Sequence, residues 1–557
     1  MSGVDVNIAL EKDTEDITMI ATTIKILLDS LIKNDYSKLL KDNPHLQSSI
    51  WCWGQDVNTR RCRAINICYH STHRQWVFLN GPDSVQSGLP NDQFRPALLS
   101  VSSVNDHNQF YFNYVTIESQ FLKNVSSKLQ FRFVKHKTIV FARFKPDNLM
   151  HSLHDDILPL KWTLDGLGWD EKANLFMYDD WPHPDNISFN LYFYKKVFNF
   201  NEIFIKSMAS DNLICFKEIW LGLDRETVWY QYGFHSPQGP ALKTDQQKRS
   251  IELASKQLRS LFKQQRCSET PYGIFLSRTY NRLILNEDEL IKMLNKEAAT
   301  VIRMNVNDDF VNLIIKISCA NLLIGMHGST LILSLFLPPG SSIVEMFPFG
   351  INPEHYTPYK TIAQTLKLNY IRWVNQNLNN SIQHPEYPVS LGGIDDLPDK
   401  MKSQIKNLTE DLEPHLCCHD PNWLYRIYQD TFVDVNHFRE TVVDILNSNS
   451  TLSQPNMQIS SNFYPGPVRN IECKYEESKG FQINWDNPWN IEFSGTDQFG
   501  KINFELLTDE GNGKGLVSFS STNFLVLPFK GKEVFSFWVR CNFNDKKGPF
   551  TLAHCLK

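Results

Sequence analysis

The sequence predicts an α/β chain with a parallel, doubly wound sheet, followed by a separate antiparallel β-sandwich. Three observations predict it. Strand-like and helix-like segments alternate over about 100 residues from position 272, as parallel sheets require. A polar, Pro-containing stretch, NSNSTLSQPN at 447–456, then interrupts the pattern. Beyond it lie only short strands separated by Gly, Asn and Asp turns. The 557 residues are too many for one core. A composition 42% hydrophobic and 12% aromatic supports several packed cores rather than a disordered polymer. Lys+Arg (56) and Asp+Glu (61) nearly cancel, which argues against a dedicated nucleic-acid binder and makes any basic surface a local pocket.

In chain order, residues 1–45 are polar with one amphipathic helix at 17–32, interrupted by Lys25 and Asp29. Residues 50–135 are aromatic-rich and suggest short strands and loops packed on a larger body. TIVFARF (138–144) is β-branched and aromatic, hence a strand. It runs into a helix that Asp147 or Asn148 can cap. Further strands are expected at 175–178 and 213–221. A helix is expected at 244–265, with Ile251, Ala254, Leu258 and Leu261 at helical spacing. The regular part predicts strands at 272–277, 299–304, 321–326, 342–347 and 369–374. Helices are expected between them at 286–297, 308–319, 329–336 and 359–367. Ligands of such sheets bind outside the carboxyl ends of the strands. The aromatic helix at 421–430 is expected to pack back on the first lobe. The tail resembles a fibronectin type III sandwich, with Trp485 on its second strand and Phe535, Phe537 and Val539 alternating. GNGKG at 511–515 lacks the full phosphate-loop pattern and reads as a hairpin turn.

Eleven cysteines form no CxxC, so a zinc site is not indicated. Sequons at Asn124, Asn186, Asn379, Asn407 and Asn449 favour an oxidising lumen. Against that, the written sequence shows neither a signal-anchor nor a cleavable leader.

Four motifs carry candidate chemistry, and each sits where a strand ends. Arg143, Asn148, His151 and His154-Asp155-Asp156 surround a strand-to-helix turn. A cluster of imidazoles and carboxylates can hold a general base, or it can be a capping cluster. Ser277-Arg278-Thr279-Tyr280-Asn281-Arg282 places two guanidiniums four residues apart, suited to a diphosphate; its plain reading is an ion-pair loop. His327-Gly328-Ser329 lets a ligand approach the backbone, or forms a tight turn around a buried His. Glu345, with Phe347 beside it, puts a carboxylate at a strand end, suited to ribose hydroxyls or to a local ion pair. Tyr356, Tyr359 and Lys360 can line the same cleft. Asp179-Asp180 lacks the spacing of a metal-binding DxD and reads as a loop. No metal ligand set is assigned.

The strings RFKPDNLMHSLHDDILPL, WYQYGFHSPQGP, SRTYNRLILNE, GMHGSTL, NPEHYTPYKT and HLCCHDPNWLYRIYQDT closely resemble the protein O-linked-mannose β-1,4-N-acetylglucosaminyltransferase family, within the glycosyltransferase 61 group. The likeness runs from about residue 45 to the end. It implies a GT-B fold of two Rossmann-like lobes. The implied division is an unmatched segment 1–45, an acceptor-side lobe 46–265, a UDP-sugar lobe 266–375, a return segment and linker 376–455, and a fibronectin type III-like domain 460–557. It implies inverting transfer of GlcNAc from UDP-GlcNAc to O-linked mannose of a glycoprotein such as dystroglycan, in the endoplasmic reticulum, by type II membrane proteins. A homodimer is compatible with it. On this basis His154, Asp155 and Asp156 contain the base. Ser277, Arg278, Asn281, Arg282, His327, Gly328, Ser329, Glu345 and Phe347 bind the donor. Arg143, Asn148, His151 and Tyr359 shape the acceptor side. No cofactor is expected, because the arginines can neutralise the leaving diphosphate. Disulfides are expected among Cys52, Cys62 and Cys68, at Cys417-Cys418, and among Cys473, Cys541 and Cys555. The rivals are an EGF-domain-type or pentosyl transferase of the same group, and an inactive adhesion protein.

Overall fold

The computed structural model describes residues 46–556 except 55, 90–97, 105–109, 120–129, 169–171, 185–187, 199, 207–211, 233–237, 243, 263–266, 268–269, 306–308, 408–411, 413–419, 444–445, 447–464, 466–467, 489–501, 510–514, 528–533, 544–545 and 549. The helix expected at 17–32, the sequons at Asn124, Asn186 and Asn449, Cys417-Cys418, the linker at 447–456 and most of GNGKG lie outside the described residues. The chain divides into two compact units, one ending at Glu226 and the next starting at Thr227.

The first unit is built on one mixed sheet. Glu202–Ile205, Asn174–Met177, Thr138–Phe141 and Asn212–Leu221 run parallel. Asn212–Leu221 then pairs antiparallel with Arg61–His70, which pairs antiparallel with Ser49–Trp53. The aromatic-rich region is therefore part of the main sheet, and Arg61–His70 is a ten-residue strand rather than a short one. Its aromatics make the core: Trp76 is wholly buried, with Tyr69, Phe112, Phe176 and Phe216 around it. Two disulfides lock directly opposed strand residues, Cys52–Cys62 and Cys68–Cys215. Cys68 thus pairs with Cys215, outside the expected N-terminal trio.

The second unit holds a five-stranded parallel sheet in the spatial order Val301–Asn305, Gly273–Ser277, Leu322–Met326, Ser342–Phe347, Asn369–Val374. Helices Glu287–Glu297, Phe310–Ile317 and Pro358–Thr365 and the 3₁₀ helix Ser329–Phe336 connect the strands. The second strand in sequence lies on one side of the first and the third on the other. The order therefore reverses between Gly273–Ser277 and Leu322–Met326, and a crevice opens there at the carboxyl ends. Helix Asp245–Phe262 belongs to this unit: Arg259 donates to the Leu337 carbonyl, and Phe262 meets Phe336 edge-on. Ile251, Ala254 and Leu258 are buried as expected, but Phe262 replaces Leu261, which is exposed. Cys267–Cys319 was not anticipated by spacing.

The return segment, expected to pack on the first lobe, has contacts with this second sheet. Thr431 donates to the Leu283 carbonyl and accepts from the Leu285 amide. Phe438, Val442 and Val443 fill the core beside Trp373.

The tail forms two antiparallel sheets. One contains Arg469–Glu476, Gly480–Asp486 and Phe524–Leu527. The other contains Gly515–Ser520, Ile502–Asp509, Val534–Phe543 and Thr551–Leu556. Trp485, Phe504, Leu506, Phe537 and Val539 are buried together, and Cys473–Cys555 joins a strand of each sheet. Cys541 stays a free, buried thiol.

Candidate active site

Both anion motifs flank the crevice of the second unit. Gly273–Ser277 ends in the arginine loop, and Leu322–Met326 ends in His327-Gly328. Arg282 occupies the left-handed backbone region (φ 56°), which non-glycine residues rarely adopt and which concentrates at functional sites. Its Nη1 donates to the His327 carbonyl at 2.9 Å, and its guanidinium lies 5.1 Å over the Tyr428 ring. Arg278 is held by Asn281, through Nε to the carbonyl at 2.7 Å and Nη2 to Oδ1 at 2.9 Å. Asn281 is thus the splint of Arg278.

Among the described residues neither guanidinium forms an ion pair with a carboxylate, and Nε of Arg282 is buried without an acceptor. Burial, and then the neighbouring Arg282 cation, lower Arg278 to about 9; burial lowers Arg282 too. Two crowded cations without a counter-anion are an electrostatic demand for one. Asp430, whose charge reaches Arg278, is spent on the Leu283 amide (2.7 Å) and His384 Nε2 (2.9 Å).

Gly328 leaves the space the arginines fill. A Cβ there would stand 2.8 Å from Nη1 of Arg282 and 3.4 Å from Nη1 of Arg278. The His327 amide is used by the Met346 carbonyl, so the backbone donors left at the turn are those of Gly328 and Ser329. Ser277 turns away, donating its hydroxyl to Glu287 at 2.7 Å. Phe347 stacks on the His327 ring at 4.9 Å. Tyr359, expected on the acceptor side, approaches the same ring edge-on at 5.8 Å. Glu345 is wholly buried between His327 and Tyr370, not displayed toward a ribose. Tyr370 and Tyr428 carry no signature in the sequence that marks them as part of a site.

In the first unit, Thr138–Phe141 leads into a helix whose middle, Ser152–Ile157, is π-helical, a form enriched at functional sites. Asp155 lies between two imidazoles, with Oδ2 at 2.7 Å from His151 Nδ1 and Oδ1 at 2.6 Å from His154 Nδ1. Burial alone would raise its carboxyl, but His154 and His151 outweigh burial and hold it below the usual range. His154 and Asp155 are buried, whereas the His151 side chain keeps 12% exposure. Asp156 is buried and accepts the Phe144 amide at 2.9 Å; burial pushes its carboxyl well above the usual range.

Two acceptor-side expectations turn out to be structural. Arg143 is wholly buried, gripping Asp179 through Nε (3.1 Å) and Nη2 (2.7 Å) and donating to the Trp181 carbonyl. Asp179 is therefore a core partner, more than a loop residue. Asn148 caps the helix, accepting from the Met150 amide.

An unneutralised arginine pair at the switch point of a parallel sheet suits an anionic donor, and residues 175–344 match the Glycosyltransferase 61 family. The chain is a glycosyltransferase, acting on a nucleotide-sugar donor and a glycoprotein acceptor. It is 33% identical over 550 residues to the protein O-linked-mannose β-1,4-N-acetylglucosaminyltransferase 2 of Xenopus tropicalis, covering 94% of this chain and 91% of the relative. The relatives of the same name from Mus musculus (33% over 547 residues) and Homo sapiens (32% over 547 residues) are each covered over 93% of this chain and 90% of their own length. The chain belongs to the protein O-linked-mannose β-1,4-N-acetylglucosaminyltransferase 2 family. Its four disulfides among the described residues suit the oxidising secretory pathway. No described helix is long and apolar enough to cross a membrane.

Proposed function

We propose that this protein transfers GlcNAc from UDP-GlcNAc, with inversion, onto O4 of a mannose O-linked to a glycoprotein in the endoplasmic reticulum. The observation that carries the donor half is the pair Arg278 and Arg282, desolvated, with no carboxylate partner among the described residues, and packed on Gly328. As the C1–O bond to UDP breaks, its electrons pass to the β-phosphate oxygen. The two guanidiniums and the Gly328 and Ser329 amides neutralise that oxygen. This makes a divalent cation dispensable.

The base that takes the mannose O4 proton is assigned to His151. It is the partly exposed imidazole of its cluster, and Asp155 orients it through Nδ1. The family supplies the sugar and linkage. A GT-B fold class and a fibronectin type III identity for the tail are part of the same reading. The partition of the tail into first, second and fifth strands against third, fourth, sixth, the short Lys546–Lys547 and the last supports the latter. A donor panel against an O-mannosyl peptide, with product linkage read by NMR, tests the proposal. Transfer of a pentose, or transfer to an unmannosylated EGF domain, overturns it.

A further inference from the structure

Glu345 ends a central strand of the parallel sheet, where a carboxylate would ordinarily reach a ligand hydroxyl. Here both oxygens are engaged inside the protein. Oε1 lies 2.5 Å from Nδ1 of His327, and Oε2 accepts the Tyr370 hydroxyl at 2.6 Å. Glu345 is wholly buried, whereas the His327 side chain retains 11% exposure. With Nδ1 committed to Glu345, the nitrogen left to meet a ligand is Nε2. The ring cannot swing: Phe347 stacks on one face, and Tyr359 and Tyr356 flank it.

We infer that Glu345 is a positioning residue for the leaving group. It holds a proton on Nδ1 of His327, so that Nε2–H of the imidazolium donates to the donor diphosphate beside Arg278 and Arg282. The inference rests on the proposed donor site. Its logic is electrostatic. Arg282 binds the His327 carbonyl, and Arg278 adjoins it. The buried carboxylate of Glu345 faces the far nitrogen of the same ring. A carboxylate behind a histidine also fixes its tautomer and raises its basicity, as in metal sites. Among the described residues the other ionisable groups shown around the pair are tyrosines: Tyr356 and Tyr359 at the ring, and Tyr370, Tyr230 and Tyr359 within the field of Glu345. Behind Tyr370 stand Arg372 and Glu354, which pair with each other. The proton stays on the imidazole throughout; only a hydrogen bond to phosphate oxygen is made.

The test is UDP-GlcNAc affinity by calorimetry across neutral pH, since its diphosphate does not titrate there. The full chain is compared with Glu345→Gln, Tyr370→Phe, His327→Gln and Arg282→Gln, each checked for folding by near-UV circular dichroism. Wild-type affinity is expected to fall as pH rises and the ring no longer donates from Nε2. Glu345→Gln keeps an acceptor for Nδ1 but loses the charge. Its fall should move to lower pH, weakening binding about tenfold near neutrality. Tyr370→Phe should move it less in the same direction, and His327→Gln should flatten the profile. A uniform loss at every pH in Glu345→Gln and Tyr370→Phe, or a flat wild-type profile, overturns the inference. Undiminished binding by Arg282→Gln would instead bring down the donor site, and the inference with it.

Discussion

The guanidinium of Arg282 rests on the backbone of Gly328, so closely that a Cβ at 328 would stand 2.8 Å from Nη1. The φ of Gly328 is 161°, extended backbone open to any residue. The glycine is therefore required by the arginine above it, not by its own conformation. Gly328→Ala should fold, losing about 1–3 kcal/mol. It should push Nη1 off the His327 carbonyl and weaken UDP-GlcNAc about tenfold, about 1.4 kcal/mol. Calorimetry and a melting curve on the same sample separate the two effects.

Arg278 illustrates a charge kept for a ligand at the expense of the empty protein. Its guanidinium is lowered to about 9, well below the ordinary arginine range, by burial and then by Arg282. For a base lowered on folding, the folded state binds its proton less well, so below that value the charge is a standing cost. Arg278→Gln should leave the unliganded melting temperature equal or higher, while the stabilisation by UDP-GlcNAc disappears. A destabilised empty variant that still responds to UDP-GlcNAc would contradict this.

Asp155 and Asp156 are neighbours with opposite expected phenotypes. Asp155→Asn loses the charge that orients His151 and should lower kcat about 100-fold. Asp156→Asn should change kcat less than about twofold. Its effect is on stability, and its sign follows from the raised carboxyl. The contribution of Asp156 is fully present below the unfolded value near 3.8 and is lost as pH rises through the raised folded value. The Asn variant does not titrate. It should match wild type near pH 4 and melt about 3 °C higher at pH 8. Melting curves at the two pH values, with single-turnover transfer, check both statements.

The disulfides differ in the loops they close. Cys68–Cys215 spans 147 residues and Cys52–Cys62 spans 10. By loop entropy the first contributes about 5 kcal/mol and the second about 3 kcal/mol. Cys68→Ser should therefore lower the melting temperature more than Cys52→Ser. Differential scanning calorimetry of the two serine variants gives the order.

The parallel sheet was legible because its strands are continuous apolar runs between helical periods. Two of them, at 342–347 and 369–374, match to the residue. The anion motifs were legible because they follow those strands. The roles within them were not. Glu345 at a strand end looks the same in sequence whether it faces ribose or is buried under His327, since the difference lies in Tyr370 on the adjacent strand. His151 and His154 share a helical face, and only the packing around the π-helix decides which one meets solvent. Arg143 reads as a ligand group until Asp179, distant in sequence, is seen to hold it. Cys68–Cys215 and Cys267–Cys319 likewise depend on strand and helix pairings that spacing does not encode.

The central claim is that the Arg278–Arg282 pair receives the UDP leaving group and serves in place of a metal. The direct measurement is transfer from UDP-GlcNAc to an O-mannosyl peptide by wild type and Arg282→Gln, each with and without EDTA. The account expects β-1,4-linked GlcNAc from wild type at equal rates in both conditions, and a loss of about 100-fold or more in the variant. Transfer abolished by EDTA, or undiminished in Arg282→Gln, would contradict it.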